Sequence, residues 1–324
     1  MSQSISYRSF NDQDLLLLST DEQLSYKRRS DDQKKSIPYG QRKLFLSELY
    51  FLATFWNVQD NPNPVVIYAG AAPGNHIPFL SNLFPTMTFH LYDPRCFYIK
   101  ESSRIHIYQQ YFTDKEAIQW SKRNDVLFMS DIRTANYLEM TDLDNELAII
   151  NDMKLQESWY NLMAPISALL KFRLPYSDHG IDRYFTYLDG LIFKQPWTPQ
   201  TSTETRLVPF APHQQTTWDS LKYEFQMFYH NVTIREHFLY LNPLTNDISP
   251  IDYPELLNDY DSVSEAFIII NYLKKMNKPT TPSLIKTFSR LLTSHLNQPK
   301  KNDHWYTLSR LRSDPLLIKR KYKD

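Results

Sequence analysis

Glycine is almost absent from this chain. There are five in 324 residues, at positions 40, 70, 74, 180 and 190, against an average usage of about 7%. A chain this sparing keeps glycine where a side chain will not serve, and two of the five stand four positions apart directly after an apolar run. Cysteine is scarcer still, with Cys96 alone. One thiol excludes a disulfide framework and a cysteine-based zinc cluster, and it suits a reducing compartment. Nor does either sign of charge prevail: 36 Lys and Arg balance 36 Asp and Glu. That excludes a histone-like basic coat, so nucleic acid would have to meet a local basic patch. The longest apolar runs, at 15–18 and 266–270, are far too short to span a bilayer. The opening MSQSISYRSFNDQD carries no apolar signal core, and the nine histidines show no H-E-x-x-H or similar pairing. The expectation is a soluble intracellular chain with no membrane and no metal.

The length allows one large domain or two modest ones. Residues 1–35 are polar and end in the charge-dense KRRSDDQKK, and are read as a loosely packed N-terminal arm. A helix is predicted over 38–56, where Phe45, Leu49, Leu52 and Trp56 fall on one face. Pro62 and Pro64 end that pattern before the run Val65-Val66-Ile67-Tyr68-Ala69. Strands are then expected at 86–92, 104–110, 125–130, 166–173, 184–193 and 205–210. Helices are expected near 75–84, at 113–122 with Thr113 as cap, and at 142–163. Strands alternating with helices predict a doubly wound α/β sheet. Residues 214–229 and 254–298 read as mainly helical additions, so that 36–298 form the main domain and 299–324 a basic, flexible tail.

In an open α/β sheet, ligands sit beyond the carboxyl ends of the strands. The first strand ends in AGAAPGNH, which is neither a G-x-G-x-x-G fingerprint nor a P-loop. Gly70 and Gly74 would let the backbone turn tightly against a flat ligand, and Asp93 ends the next strand where an acid accepts ribose hydroxyls. These parts suit an adenosine carried without a pyrophosphate, as in S-adenosyl-L-methionine. The plainer alternative is a tight strand–helix turn and a solvent-facing aspartate.

Four polar residues stand where apolar ones are expected. Asp131 ends DVLFMS, Lys171 interrupts the apolar ISALLKF, Glu204 precedes TRLVPF, and Lys43 lies in the first turn of the apolar helix. A cation there meets the positive end of the helix dipole, unfavourable by some tenths of a kcal/mol. Each alone reads equally as strand-end solvation or a surface ion pair. As a set they suit methyl transfer to a ribose 2′-hydroxyl, which needs a base. A lysine serves only if its neutral form is favoured by desolvation and a second cation, here Lys43.

Several separated stretches, PYGQRKLFLSELYFL, VVIYAGAAPGNHIPFL, LYDPR, SDIR, APISALLKFRLPYSD, STETRL and YEFQMFYHN, carry a resemblance. From about residue 24 to 280 the chain resembles the poxviral cap-specific mRNA (nucleoside-2′-O-)-methyltransferase family, whose members also serve as stimulatory (regulatory) subunits of the viral poly(A) polymerase. The resemblance implies a Rossmann-like S-adenosylmethionine-dependent methyltransferase sheet with helices added on the C-terminal side. It implies conversion of cap 0 to cap 1 by methylation of the first transcribed nucleotide of capped mRNA.

By position the resemblance places the catalytic set on Lys43, Asp131, Lys171 and Glu204, with Lys171 as base. Cofactor binding falls on Gln41, Tyr68, Gly70, Gly74, His76, Asp93, Arg95, Phe112, Asp131 and Ile132. The cap's methylated guanine would stack between Tyr26 and Tyr176 and bond Asp178 and Glu224; electron-rich rings and carboxylates suit its positive charge. Lys27, Arg28, Arg29, Lys34 and Lys35 are candidates for RNA-backbone contact, or else a solvated charge run. The implied partners are capped mRNA and the catalytic subunit of a viral poly(A) polymerase. The implied location is the host cytoplasm, with packaging in the virion. The competing readings are a non-catalytic RNA-binding stimulatory subunit and a methyltransferase for ribosomal or transfer RNA. A base N-methyltransferase is disfavoured, because no Asn/Asp-Pro-Pro-aromatic motif occurs.

Overall fold

The run Val65–Ala69 is buried at every position, as a strand covered on both faces must be, and it lies inside an eight-stranded sheet. The computed structural model describes residues 7–27, 40–248 and 258–296. In chain order the sheet strands are β1 (Leu16–Leu17), β2 (Val65–Ala69), β3 (Thr88–Tyr92), β4 (Ile105–Tyr108), β5 (Val126–Ser130), β6 (Ser167–Phe172), β7 (Gly190–Phe193) and β8 (Thr205–Pro209). Their spatial order is β1-β7-β8-β6-β5-β2-β3-β4. From β6 through β5, β2 and β3 to β4 every pairing is parallel. β8, β7 and β1 add antiparallel strands at the other edge.

Helices cover both faces. On one lie α1 (Gly40–Thr54), α2 (Ile77–Leu83), α6 (Tyr260–Lys275) and α7 (Pro282–Leu296), packed on Val66, Tyr68, Leu127, Met129, Leu169 and Val208. On the other lie α3 (Asp114–Trp120), α4 (Asp142–Met163) and α5 (Ser220–Tyr229), against Ile67, Phe128, Ala168, Leu170 and Phe172. Odd and even positions of one strand thus serve different layers, as a period of two demands. Thr113 opens α3 through a reciprocal capping box with Glu116. Thr141 caps α4, and Ala164, in the left-handed region, ends it.

The fold is the doubly wound α/β arrangement predicted, with three local differences. Part of the expected arm is built into the body: the apolar run at 15–18 puts a fully buried Leu15 into the core and gives β1 to the sheet. The single strand expected over 184–193 is two. Tyr184–Leu188 pairs with Gln215–Asp219 in a separate ribbon, and only β7 joins the main sheet. The break falls at Asp189, just before Gly190, where a Cβ would stand 2.3 Å from the Val208 carbonyl oxygen, so the close approach of β7 to β8 admits no side chain. Residues 215–219, read as helix, are therefore strand, and α5 begins only at Ser220. The expected tail at 299–324, together with Arg28, Arg29, Lys34 and Lys35, lies outside the described residues.

Candidate active site

Strand register brings the four polar residues together. Asp131 follows β5 directly, beside the paired Ser130 and Leu170. Lys171, one position further along β6, stands opposite Arg206 of β8. Because β8 runs antiparallel, its start, with Glu204 just before it, meets the carboxyl end of β6. Lys171 alternates with Leu170 and so points to the face covered by α1, and α1 supplies Lys43 from its first turn.

The contacts are direct. Lys171 Nζ donates to Asp131 Oδ1 at 2.9 Å and lies 3.6 Å from Glu204 Oε2. Lys43 Nζ donates to Glu204 Oε1 at 2.6 Å. Glu204 also accepts from Arg133. Lys43 at the helix N-terminus is thereby offset by a carboxylate. All four residues line one cavity of about 650 Å³.

Arg206 is the residue that sequence reasoning missed. Its side chain is 2% exposed, yet its guanidinium donates from Nη2 to Asp131 Oδ1 at 2.8 Å and from Nε to Gln195 Oε1 at 2.8 Å. Gln195 in turn donates to the Glu204 carbonyl and accepts from Ser47. A charged residue inside the apolar TRLVPF was the same signal that exposed Lys171.

Electrostatics follow from the pairing: Lys43, Lys171, Arg133 and Arg206 converge on Asp131 and Glu204, with Asp152 acting on Arg133 and Lys171 from α4. Burial pushes the Lys171 ammonium below the ordinary lysine range. Asp131 and Glu204 oppose that, and the guanidinium groups of Arg133 and Arg206 reinforce it. These two arginines press on Lys171 where the sequence pointed to Lys43, which is engaged with Glu204. Burial alone would raise both carboxyls. Lys171 and Arg206 hold Asp131 below its usual range instead, and Lys171, Lys43 and Arg133 hold Glu204 well below. With both acids ionised, losing the Lys171 proton lowers an excess of positive charge.

The residues expected at the cofactor lie at the carboxyl ends of β2, β3, β4 and β5, with Gln41 reaching His76 from α1. Gly70 has φ +80°, and a Cβ there would stand 2.7 Å from Ile132 N and 2.8 Å from Asp131 C. The missing side chain thus lets the segment bearing Asp131 lie against the turn, rather than leaving room for a ligand alone. Tyr68 is fully buried and donates to Glu48 at 2.6 Å. The His76 ring nitrogens face Gln41 Oε1 at 3.2 Å and Glu48 Oε1 at 3.0 Å. Asp93 accepts from the backbone N–H of Ala72 and Arg95 and twice from the Arg95 guanidinium. Four donors match a carboxylate's capacity, so ribose recognition by Asp93 requires the Arg95 side chain, 68% exposed, to swing outward. Gly74 lies against Phe97 and Ile99, and Phe112 packs on Tyr92 and Trp159.

The four expected cap residues converge around α5. Leu24 N–H bonds the Phe225 carbonyl, which lays the preceding segment along the helix and sets the Tyr26 ring 5.2 Å from Phe228. Glu224 is one helical turn from Phe228, on the same face. Burial raises its carboxyl above the usual range, and the charge of Asp178 adds to this. Asp178 itself is exposed, 3.6 Å from His179. Tyr176 bonds Thr203 Oγ1 at 2.9 Å and carries the Arg173 guanidinium 4.3 Å over its ring. Arg173 is paired with Glu146 at 2.5 Å. Tyr176 and Lys171 line the same cavity. Among the described residues no group of three or more His, Cys, Asp or Glu is placed to hold a metal, and no helix is long and apolar enough to cross a membrane.

Comparison with known proteins adds to this geometry. The family described as poly A polymerase regulatory subunit matches residues 11–291. The cap-specific mRNA (nucleoside-2′-O-)-methyltransferase of Fowlpox virus (strain NVSL) is 32% identical over 260 residues, covering 74% of this chain and 77% of its own. The protein of that name from Myxoma virus (strain Lausanne) is 30% identical over 241 residues, covering 68% and 69%. Among solved structures, human methyltransferase-like protein 13 in complex with SAH aligns with 59% of this chain and 91% of its own. Its identity is 11% and its TM-score 0.33, too loose a match to bear on the site.

Proposed function

Since this chain belongs to the poly A polymerase regulatory subunit family, together with the cap-specific mRNA (nucleoside-2′-O-)-methyltransferases of fowlpox and myxoma viruses, we propose that it methylates the ribose 2′-hydroxyl of the first transcribed nucleotide of capped mRNA. The observation that carries this reading is the buried contact of Lys171 with Asp131 and Glu204, ringed by Lys43, Arg133 and Arg206.

A ribose hydroxyl is a poor nucleophile until its proton has an acceptor. Lys171, held toward its neutral form by burial, Arg133 and Arg206, can take that proton at Nζ. Asp131 and Glu204 fix Nζ in place and stabilise the ammonium once it forms. Lys43 and Arg133 pin Glu204, and Arg206 pins Asp131. The donor that fits the neighbouring turn is S-adenosylmethionine, which when bound supplies an electrophilic methyl group on a sulfonium. Gln41, Asp93, Asp131 and the apolar Phe97, Ile99, Phe112 and Ile132 would hold it: carboxylates suit the ribose and the positive charge, and flat apolar walls suit an adenine. Tyr26, Tyr176, Asp178 and Glu224 would take the cap.

The family description supports a second role, as partner of a poly(A) polymerase catalytic subunit, tested by co-purification of the two chains. The methylation reading is tested by mapping the label. Incubation with methyl-labelled donor should mark capped RNA only, in a product whose first internucleotide bond resists ribonuclease. Equal labelling of uncapped RNA would remove the cap from the account.

A further inference from the structure

Beyond Arg133, the segment TANYLEM between β5 and α4 has no part in the chemistry above, yet its Ala135, Asn136 and Tyr137 form a rim of the same cavity. Tyr137 lines that cavity together with Arg133, Arg173 and Lys171, and its residue surface is 78% exposed. The loop that carries it is clipped to α4 at both ends. Thr134 donates from its N–H and its hydroxyl to Asp152, both at 2.8 Å. At the other end Asn145 donates to the carbonyls of Met140 and Thr141. Between the clips Asn136 turns the chain. Its carbonyl accepts from Glu139 and Met140 N–H at 3.0 Å, and its side chain accepts from Leu138 N–H at 3.2 Å. An aromatic side chain carried on a braced turn, exposed to water and lining the same cavity as several cations, is poorly explained as packing. An exposed aromatic alone is ordinary; one mounted at the mouth of a cationic cavity is the combination that binds unpaired nucleotides.

We infer that Tyr137 is a stacking platform for a nucleobase of the acceptor RNA strand, and so helps to deliver the ribose to Lys171. The inference rests on the RNA substrate class proposed above. Stacking reads a π-face rather than an edge, so the platform accepts any base.

The test uses the full chain and a short capped RNA labelled at its 3′ end, with binding followed by fluorescence anisotropy and no methyl donor present. Tyr137→Ala should weaken binding about 5- to 100-fold, the range of one lost base stack. Tyr137→Phe, which keeps the ring, should bind within about twofold of the parent. An RNA series with single abasic nucleotides should contain one position at which the parent weakens and Tyr137→Ala loses nothing more. Parental binding by Tyr137→Ala, an equal loss in Tyr137→Phe, or additive losses at every abasic position would overturn the platform. Failure of the parent to transfer methyl groups would instead remove the function it rests on, and leaves this binding readout intact.

Discussion

Lys171 and Glu224 are displaced from their ordinary titration in ways that pH can read. Lys171 is the proposed base, so activity rises as it deprotonates. Burial, Arg133 and Arg206 bring that rise below the range of a free lysine. Removing one cation must move it back toward alkaline pH. Arg133→Gln should therefore shift the rising limb of the pH–rate profile upward and cut the rate at neutral pH by about 3- to 10-fold. An unmoved limb would show that Arg133 does not act on Lys171. Glu224 goes the other way: its carboxyl is raised, so it protonates at higher pH than an ordinary glutamate. Affinity for a 7-methylguanosine nucleotide should be full above that pKa and fall as pH drops through it, and Glu224→Gln should flatten the fall in a fluorescence titration. Lys171 was legible in sequence because a charge in an apolar run needs a reason, whereas Glu204, which only precedes such a run, stood out through the set it makes with the other three. Arg206 carried the same signal, but its role depends on strand register with Lys171, which spacing alone does not reveal.

At the scale of elements, α1 presents adjacent cations in two directions. Lys43 points to the cavity, while Arg42 bonds Glu265 of α6 and Ser289 and Thr293 of α7. Glu265 is fully buried and also accepts from Trp197. Glu265→Ala would take a fully buried carboxylate from the Arg42 guanidinium, Trp197 and Ser289 at once, at a cost of about 3–5 kcal/mol, seen as a lower midpoint in urea unfolding. A loss within experimental error would mean the clasp is solvated. Val65–Ala69 matches its predicted span because Pro62 and Pro64 precede an unbroken apolar run and Gly70 follows it, and Asp142–Met163 matches the helix expected at 142–163, which Thr141 caps at its start. The region 184–193 misled because its aromatic and apolar residues resume after Asp189 and Gly190, and the change of partner from Gln215–Asp219 to β8 that splits it is tertiary. The polar stretch QTTWD is strand because Tyr184–Leu188 pairs with it, a partner that local propensity cannot supply.

The whole molecule has no net charge, so attraction to RNA is local. The cavity offers a small excess of cations, and Lys27, Arg28, Arg29, Lys34 and Lys35 form a second basic group in the sequence. If that group meets the RNA backbone, replacing all five with glutamine should reduce the slope of log affinity against log salt by about 3 to 4, at about 0.7 per phosphate contact. An unchanged slope would assign the run to solvent. The central claim concerns one amine, and the direct measurement is methyl transfer to capped RNA by the parent and by Lys171→Ala under single turnover, with labelled S-adenosylmethionine saturating. The account predicts that the variant still binds capped RNA but transfers about 100- to 10,000-fold more slowly, the range of a lost general base. Transfer at the parental rate would contradict it.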